Sequence, residues 1–453
     1  MMAHGDHRAM SHALSPPGLG PAGSLRWPRA LDQPDPERDF SSVEMARRLN
    51  VLFMFGQPTS SPAFSVHANV MRFLDPDRVR VHVVYNRLAE EESYRAAKTS
   101  LLDIIPQQAS LDLRAVDLGP VGGPSRRAML STAARSAPSA AASLAGLVRY
   151  MRRSGIDVVH CEEGTRNGFL PWVLSRLGGA RCVLHFHSRY GSWMTPPSRV
   201  AVQRSDAIIA VSGWTGRGIH DGGGVPRERI FPVLNGVDPQ EWDPARANGA
   251  AVRREFAIGE PDPLVVMVAQ LVAWKRQLKL IAAFRRVLDS HPGARLLLAG
   301  LEHNPPSGPG AISYTEEVRR LVAELGLDDH VILAGRRGDV REILAAADVF
   351  AHPSVDDPCP LAEIEAMAMA RPVVAVHAAG SAELVLDGET GLLSPPDDVD
   401  ALAANLLALV EDPDRRRRLG DAGRRRVVDY LNLRRVAVEI EAVYRSTTQG
   451  APT

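Results

Sequence analysis

The stretch DVFAHPSVDDPCPLAEIEAMAMARPVVAV, residues 348–376, decides the architecture of this chain. It opens on one short apolar run, DVFAHPS (348–354), and closes on another, PVVAV (372–376). Between them Pro358 and Pro360 set up a helix start, and 361–370 is rich in strong helix formers. Strand, loop, helix and strand in that order make the unit of a parallel sheet covered by helices on both faces.

The same unit recurs outward from there. TGLLSPP (390–396) follows it, and HVILAG (330–335), ARLLLAG (294–300) and PLVVMVA (263–269) precede it. Leu278, Ile281, Phe284 and Leu288 recur at helical spacing, so 275–290 reads as a crossover helix. Before a break near NGVDPQEWDP (235–244) comes an earlier series: NVLFMF (50–55), VRVHVVYN (79–86), DVVHC (157–161), CVLHFH (182–187) and DAIIAVS (206–212). Most of these runs are continuously apolar, as in strands buried on both faces. The Ala- and Ser-rich stretch 118–145 interrupts the series, with a helix expected to end at Arg153.

Two series of strands predict two α/β domains, and 453 residues with 45% hydrophobic and 23% charged content are too many for one core. The expected division is a disordered tail at 1–45, a first domain at 46–238, a second at 239–426, and a C-terminal helix at 427–446 packing back on the first. The tail has too few large apolar side chains to offset its ordering entropy. With 53 basic against 53 acidic residues there is no electrostatic case for nucleic-acid binding. Arg149, Arg152 and Arg153 cluster after an Ala/Leu-rich stretch, which reads either as solvated surface or as peripheral contact with an anionic membrane. Cys161, Cys182 and Cys359 fit neither a disulfide framework nor a zinc site, which implies a reducing compartment. No apolar run approaches the ~18–20 residues that span a bilayer, and the first 45 residues lack a secretory apolar stretch. The expected location is the cytoplasm, with the inner face of the membrane as the one alternative.

Ligands of open α/β sheets bind beyond the carboxyl ends of the strands, so polar residues just after strands are the candidates for chemistry. The first-turn amides of the helix at Leu361 and Ala362 offer a site for an anion such as a diphosphate. Glu365, about one turn further in, is suited to accept two hydrogen bonds from vicinal hydroxyls such as those of a ribose.

At these residues the sequence resembles the family 4 glycosyltransferases (glycosyl transferases group 1) of GT-B fold, in which two Rossmann-like domains face an interdomain cleft. Their hallmark is a pair of glutamates separated by seven residues, then an Ala-rich helix, a Pro-Val-Val strand and a Thr-Gly-Leu-Leu loop. Here the frame is Asp357, seven residues, then Glu365, with an Asp one methylene shorter than the usual first Glu. Pro360 stands where the family usually has glycine, and proline has no N–H to offer a ligand. In VAQLVAWKRQ (268–277) Lys275 matches the family's lysine that neutralises the donor diphosphate, while Gln270 replaces its arginine and Arg276 is the adjacent candidate to substitute.

The resemblance extends over nearly the whole chain after residue 48. His187 in VLHFHS matches the histidine that follows the fourth strand and lies beside the reacting sugar, and His185 shares its strand face. Ser212 and the run Asn235, Gly236, Val237, Asp238 are further family features, though Asn-Gly also reads as a tight turn with positive φ. Gly335 and Arg336 stand where the family packs the nucleotide base. Glu383 resembles the acid that faces the base and ribose, with a solvated helix residue as the other reading. Gln57 lies in the loop GQPTSSPAFS (56–65), the place of the family's acceptor loop; Glu162, Glu163 and Arg166 read as acceptor-side groups or as surface.

The resemblance implies transfer of a sugar, with retention of anomeric configuration, from a nucleotide diphosphate sugar to an acceptor the sequence does not name, without cofactor or metal. It implies catalytic roles for His187, Lys275 and Asp357. Donor contacts fall to Gln270, Lys275, Gly335, Arg336, Asp357, Pro360, Leu361, Ala362 and Glu365, and acceptor contacts to Gln57, Glu162 and Arg166. A dinucleotide oxidoreductase would need Gly-x-Gly-x-x-Gly after NVLFMF or PLVVMVA, and neither run has it. Two alternatives stay open: a nucleotide-sugar epimerase on the same fold, and a weakly active or inactive binding or scaffold protein, the reading that Asp357 and Gln270 raise.

Overall fold

The computed structural model describes residues 47–55, 62–86, 112–116, 126–162, 169–191, 194–302 and 312–449. The expected tail at 1–45 lies outside them. Seven strands form the first sheet: β1 (Leu49–Phe55), β2 (Val79–Asn86), β3 (Asp112–Val116), β4 (Val158–Glu162), β5 (Arg181–Phe186), β6 (Ala207–Ala210) and β7 (Ile230–Pro232). Six form the second: β8 (Leu264–Val268), β9 (Arg295–Ala299), β10 (Val331–Gly335), β11 (Val349–His352), β12 (Val373–Val376) and β13 (Gly391–Ser394). Every pairing in both is parallel.

The continuous apolar runs explain this. Along β1, Val51, Phe53 and Phe55 enter the core under the helices Pro62–Phe73 and Leu433–Gln449, while Leu52 and Met54 enter the core on the opposite face. With period 2, a strand buried on both sides must be apolar at every position, and parallel crossovers supply the covering helices.

Two strands escape the sequence pattern, β3 and β7, and they are the two edges of the first sheet. An edge strand is paired on one side only, so a short or charged segment such as DLRAV or IFP serves. His187 therefore follows the fifth strand, not a fourth. The expected helix 275–290 also starts later, at Gln277: Ala273–Lys275 is a separate 3-10 turn, and Arg276 at φ 62° in the left-handed region ends it. Lys275 is thus a loop residue at the end of β8. The stretch 118–145 contributes to one helix, Arg126–Arg153.

The chain crosses between lobes twice, and the two crossings touch. Val237 N–H donates to Leu431 O at 3.1 Å and Leu433 N–H to Val237 O at 3.2 Å, after which Leu433–Gln449 lies on the first sheet with Val436, Ile440 and Tyr444 in its core. Gly236 does not take the positive φ of a tight Asn-Gly turn. Its role is close approach: a Cβ there would lie 2.8 Å from both Leu431 O and the Asn432 carbonyl carbon. Backbone cannot yield as a side chain tip can, so Gly236→Ala should destabilise the chain by about 1–3 kcal/mol, as overpacking does. The expected readout is a fall in Tm of roughly 3–10 °C by calorimetry, and an unchanged Tm would show that the crossings separate freely.

Candidate active site

In the second sheet, order β10-β9-β8-β11-β12-β13, the direction of strand succession reverses between β8 and β11. The loops leaving those two strands diverge and open a crevice at their carboxyl ends. The loop after β8 carries Gln270 and Lys275; the loop after β11 carries Asp356 and Asp357. Both are held by backbone. A Cβ on Gly300, at φ 151°, would sit 1.8 Å from Ala269 O, and Gly380 N–H donates to Asp357 O at 2.9 Å.

Lys275 and Asp357 meet there as an ion pair, with side chains only 13% and 11% exposed. His352, buried at the end of β11, presents Nε2 at 3.4 Å from Lys275 Nζ and 3.6 Å from Asp357 Oδ2. Its Nδ1 lies 2.7 Å from Glu363 Oε1, which also accepts from Ser381 Oγ at 2.6 Å. Burial, reinforced by the Lys275 charge, pushes the His352 imidazole down to about 3, so it is neutral. A neutral ring that receives a Lys275 N–H at Nε2 must carry its proton on Nδ1 and donate it to Glu363. Burial pushes the Glu363 carboxyl up to about 8. The lysine also lies over the Trp274 ring, at 4.3 Å from its centroid.

Next in the chain is the helix Leu361–Ala368, with Pro360 at its N-cap. The first backbone bond there runs from Glu363 N–H to Pro360 O at 3.2 Å, which leaves the Leu361 and Ala362 amides ahead of it at the positive end of the helix. Glu365 is half-buried, and desolvation, with Glu241 adding its charge, pushes its carboxyl up to about 7. Gln270 is exposed, and its backbone oxygen accepts from Gln277 Nε2 at 2.7 Å. Arg276 does not replace the missing arginine, because its guanidinium turns to Asp397 with Nε at 3.3 Å. Gly335 ends β10 at φ 66° and Arg336 beside it is exposed. Gln57, Glu163 and Arg166 lie outside the described residues; Glu162 ends β4.

The first lobe brings histidines to the same cleft. His187 is partly exposed just past β5, and two residues on, Arg189 Nη1 lies 3.6 Å from Asp356 Oδ1, across the cleft beside Asp357. Behind His187 are His67 on the helix Pro62–Phe73, His160 on β4 and His185 on β5, all buried. Burial pushes His160 and His187 down to about 3 and holds His67 and His185 well below the usual imidazole range. His67, His160, His352 and Glu363 were not singled out from the sequence. Their one signal was a titratable side chain inside an otherwise apolar run.

Glu383 is not a solvated helix residue. Its carboxylate accepts from the Gly213 and Trp214 amides at 2.8 and 2.7 Å, so a residue of the second lobe covers the N-terminus of the first lobe's helix Gly213–Gly223. Ser212 caps that same helix through Thr215 N–H at 3.2 Å. Asn235 binds Cys359 O through Nδ2 at 3.1 Å. Of the basic cluster, Arg152 donates to Leu177 O at 2.8 and 3.0 Å, while Arg149 and Arg153 are exposed. Among the described residues no helix is long and apolar enough to cross a membrane.

Two family models match this chain in turn: Glycosyltransferase Family 4 over residues 65–241 and glycosyl transferases group 1 over 250–426. An alpha-maltose-1-phosphate synthase of Mycolicibacterium smegmatis is 33% identical over 290 residues, 61% of this chain and 70% of that protein. A GDP-mannose-dependent alpha-(1-6)-phosphatidylinositol monomannoside mannosyltransferase of the same organism is 32% identical over 297 residues, 62% and 74% of the two chains. Among solved structures, Anabaena HepE in complex with UDP and glucose superposes with a TM-score of 0.68 at 21% identity, over 87% of this chain and 98% of that one. A sucrose-phosphate synthase of Thermosynechococcus elongatus gives 0.65 at 21%, over 88% and 98%. With two parallel sheets, a lysine–carboxylate pair at the switch point of the second and relatives of this kind, the chain belongs to the family 4 glycosyltransferases of GT-B fold.

Proposed function

We propose that this glycosyltransferase moves a sugar from a nucleotide diphosphate sugar to a hydroxylated acceptor with retention of anomeric configuration, and that the diphosphate rests at the Lys275–Asp357 pair. The observation that carries this is the junction of a nearly buried ammonium with the positive end of the helix Leu361–Ala368 at one crevice. An ammonium has three N–H donors, and Asp357 and His352 engage two, which leaves one for a phosphate oxygen. The Leu361 and Ala362 amides add donors where Pro360 has none.

In this reading the acceptor hydroxyl attacks on the face from which the diphosphate departs. Lys275 and the two amides stabilise the leaving group, Asp357 holds a donor hydroxyl and keeps the ammonium in place, and Glu365 takes the ribose diol. His187, being neutral, faces a sugar hydroxyl or the developing oxocarbenium without repelling it. Gln270, Gly335 and Arg336 line the base side of the donor, and Gln57, Glu162 and Arg166 belong to the acceptor side. The shorter Asp357 still reaches Lys275, which speaks against an inert scaffold on the side of that residue; the charge missing at Gln270 is left to Lys275 and the helix amides. Relatives named for GDP-mannose and solved structures holding UDP differ in nucleotide, so the base is to be read by thermal shift with UDP, GDP and ADP.

Three outcomes are expected. With the donor so identified, Lys275→Ala lowers kcat by about 100-fold or more, equivalent to ~3 kcal/mol of lost leaving-group stabilisation. A loss below about tenfold would move the diphosphate elsewhere. Glu365 must be ionised to accept from the diol, and its carboxyl lies at about 7. Below that value Kd for the nucleoside diphosphate should rise by up to tenfold per pH unit beyond any dependence left in Glu365→Gln, and a wild type that titrates like this variant refutes the assignment. The anomeric coupling in the product's proton NMR spectrum should match the donor's; an inverted linkage ends the front-face scheme.

A further inference from the structure

The histidines of the first lobe are packed in a way hydrogen bonding does not explain. His67 Nε2 lies 3.2 Å from His185 Nδ1, 3.1 Å from His187 Nε2 and 3.4 Å from His160 Nε2. One ring nitrogen is either a donor of one hydrogen or an acceptor at one in-plane lone pair. Three nitrogens therefore crowd an atom that hydrogen bonding can match to one of them. Charging the rings would replace one lone-pair conflict by repulsion between buried cations, so the imidazoles stay neutral with lone pairs facing one another.

A cation at the centre resolves this. The coordinating nitrogens of His67, His185 and His187 all lie within 4.8 Å of one another, and two of the three separations are 3.1 and 3.2 Å. Imidazole nitrogens ~2.0–2.1 Å from a tetrahedral zinc-class ion stand ~3.3–3.4 Å apart, so these two separations need lengthen by only about 0.1–0.3 Å to match a coordination site. We propose that His67 Nε2, His185 Nδ1 and His187 Nε2 form a binding site for one first-row divalent cation of the zinc class, its fourth position on the cleft side of His187.

The surroundings suit three ligands and not four. The nitrogens that converge within 4.8 Å of one another are those of His67, His185 and His187, while His160, held through Nδ1 by Tyr444 OH at 2.8 Å, stands behind His67 with Nε2 3.4 Å from it. Coordination through the stated nitrogens puts protons on His67 Nδ1 and His185 Nε2, both buried and without a hydrogen-bond partner. Sites whose histidines lack an outer partner bind about 10–100-fold more weakly than supported ones, so the ion is expected to exchange and to be removable by a chelator. Occupation would engage the His187 lone pair that faces the sugar in the transfer reading and bring positive charge to that wall, so the cation-bound form and the sugar-transferring form exclude one another; the site itself does not depend on that reading.

The test uses the full chain, stripped with a chelator and titrated with Co2+ as a spectroscopic probe. One equivalent should bind with the visible absorption of a low-coordinate nitrogen site and be displaced by Zn2+. His67→Gln and His185→Gln should each weaken binding by about tenfold or more, while His377→Gln, at an exposed histidine outside the cluster, should not. Circular dichroism checks that the variants fold. If one does not, nitrogen hyperfine coupling of Cu2+ on the wild-type chain decides, with three imidazoles expected. No stoichiometric uptake, uptake indifferent to His67 and His185, or coupling to a single imidazole overturns the site. None of these readouts measures sugar transfer, so failure here leaves the glycosyl-transfer reading standing.

Discussion

An ammonium with most of its surface removed from water needs a counter-charge at hand, and Lys275 has Asp357. Much of the second lobe's cleft geometry serves that pairing. The left-handed Arg276 releases Lys275 from the following helix; Gly300 lets the loop after β8 lie against β9; Gly380 holds the Asp357 carbonyl. Neutral His352, oriented by Glu363 and Ser381, lines the pair without adding a charge. A pair buried this way adds little stability over apolar packing, and losing one partner costs about 3–5 kcal/mol. Retention of such a pair at a crevice makes sense where an arriving anion shares the ammonium.

The strands that were legible in the sequence are those buried on both faces, because their hydrophobicity is continuous and has no other use. The edges β3 and β7 left no such trace. Lys275 and Asp357 could be placed after strands by pattern and resemblance, since loop residues at strand ends have few competing roles. Glu363 could not: two residues from Glu365 on a helix, it reads as one more solvated acid until His352 and Ser381, eleven residues before and eighteen after it, are seen to enclose it. His67 and His160 failed for the same reason, being 93 residues apart in sequence and 3.4 Å apart in space. Gly236 was read through its φ preference, whereas the actual constraint is a neighbouring backbone segment about 195 residues away, a close approach of the kind only glycine permits.

The two walls of the cleft therefore differ in electrostatic character. The second lobe offers an ammonium, helix-end amides and ionisable carboxyls; the first offers neutral imidazoles, with Arg189 beside them turned to Asp356. A substrate whose negative charge grows at one end during reaction, while positive character grows at the other, is matched by that division. Charge on His187 would spoil it, and burial among other histidines is what prevents the charge.

Such a division works only if the walls keep their spacing, and the contacts that join them are unequal. Asn235 bonds Cys359 next to the Gly236 crossing, where a rotation of one lobe on the other moves atoms least. Glu383 instead joins the lobes through two charge-assisted bonds to the Gly213 and Trp214 amides, each worth about 1.5–3 kcal/mol at most and largely replaceable by water once exposed. The two contacts lie close together, since Gly380, three residues before Glu383, packs against the Cys359 backbone. The Arg189–Asp356 pair, half-exposed and at 3.6 Å, is too weak to oppose opening by itself. Spacing of the walls thus rests on several contacts between the lobes, of which the Glu383 carboxylate with its two amides is the one that carries charge-assisted bonds to backbone.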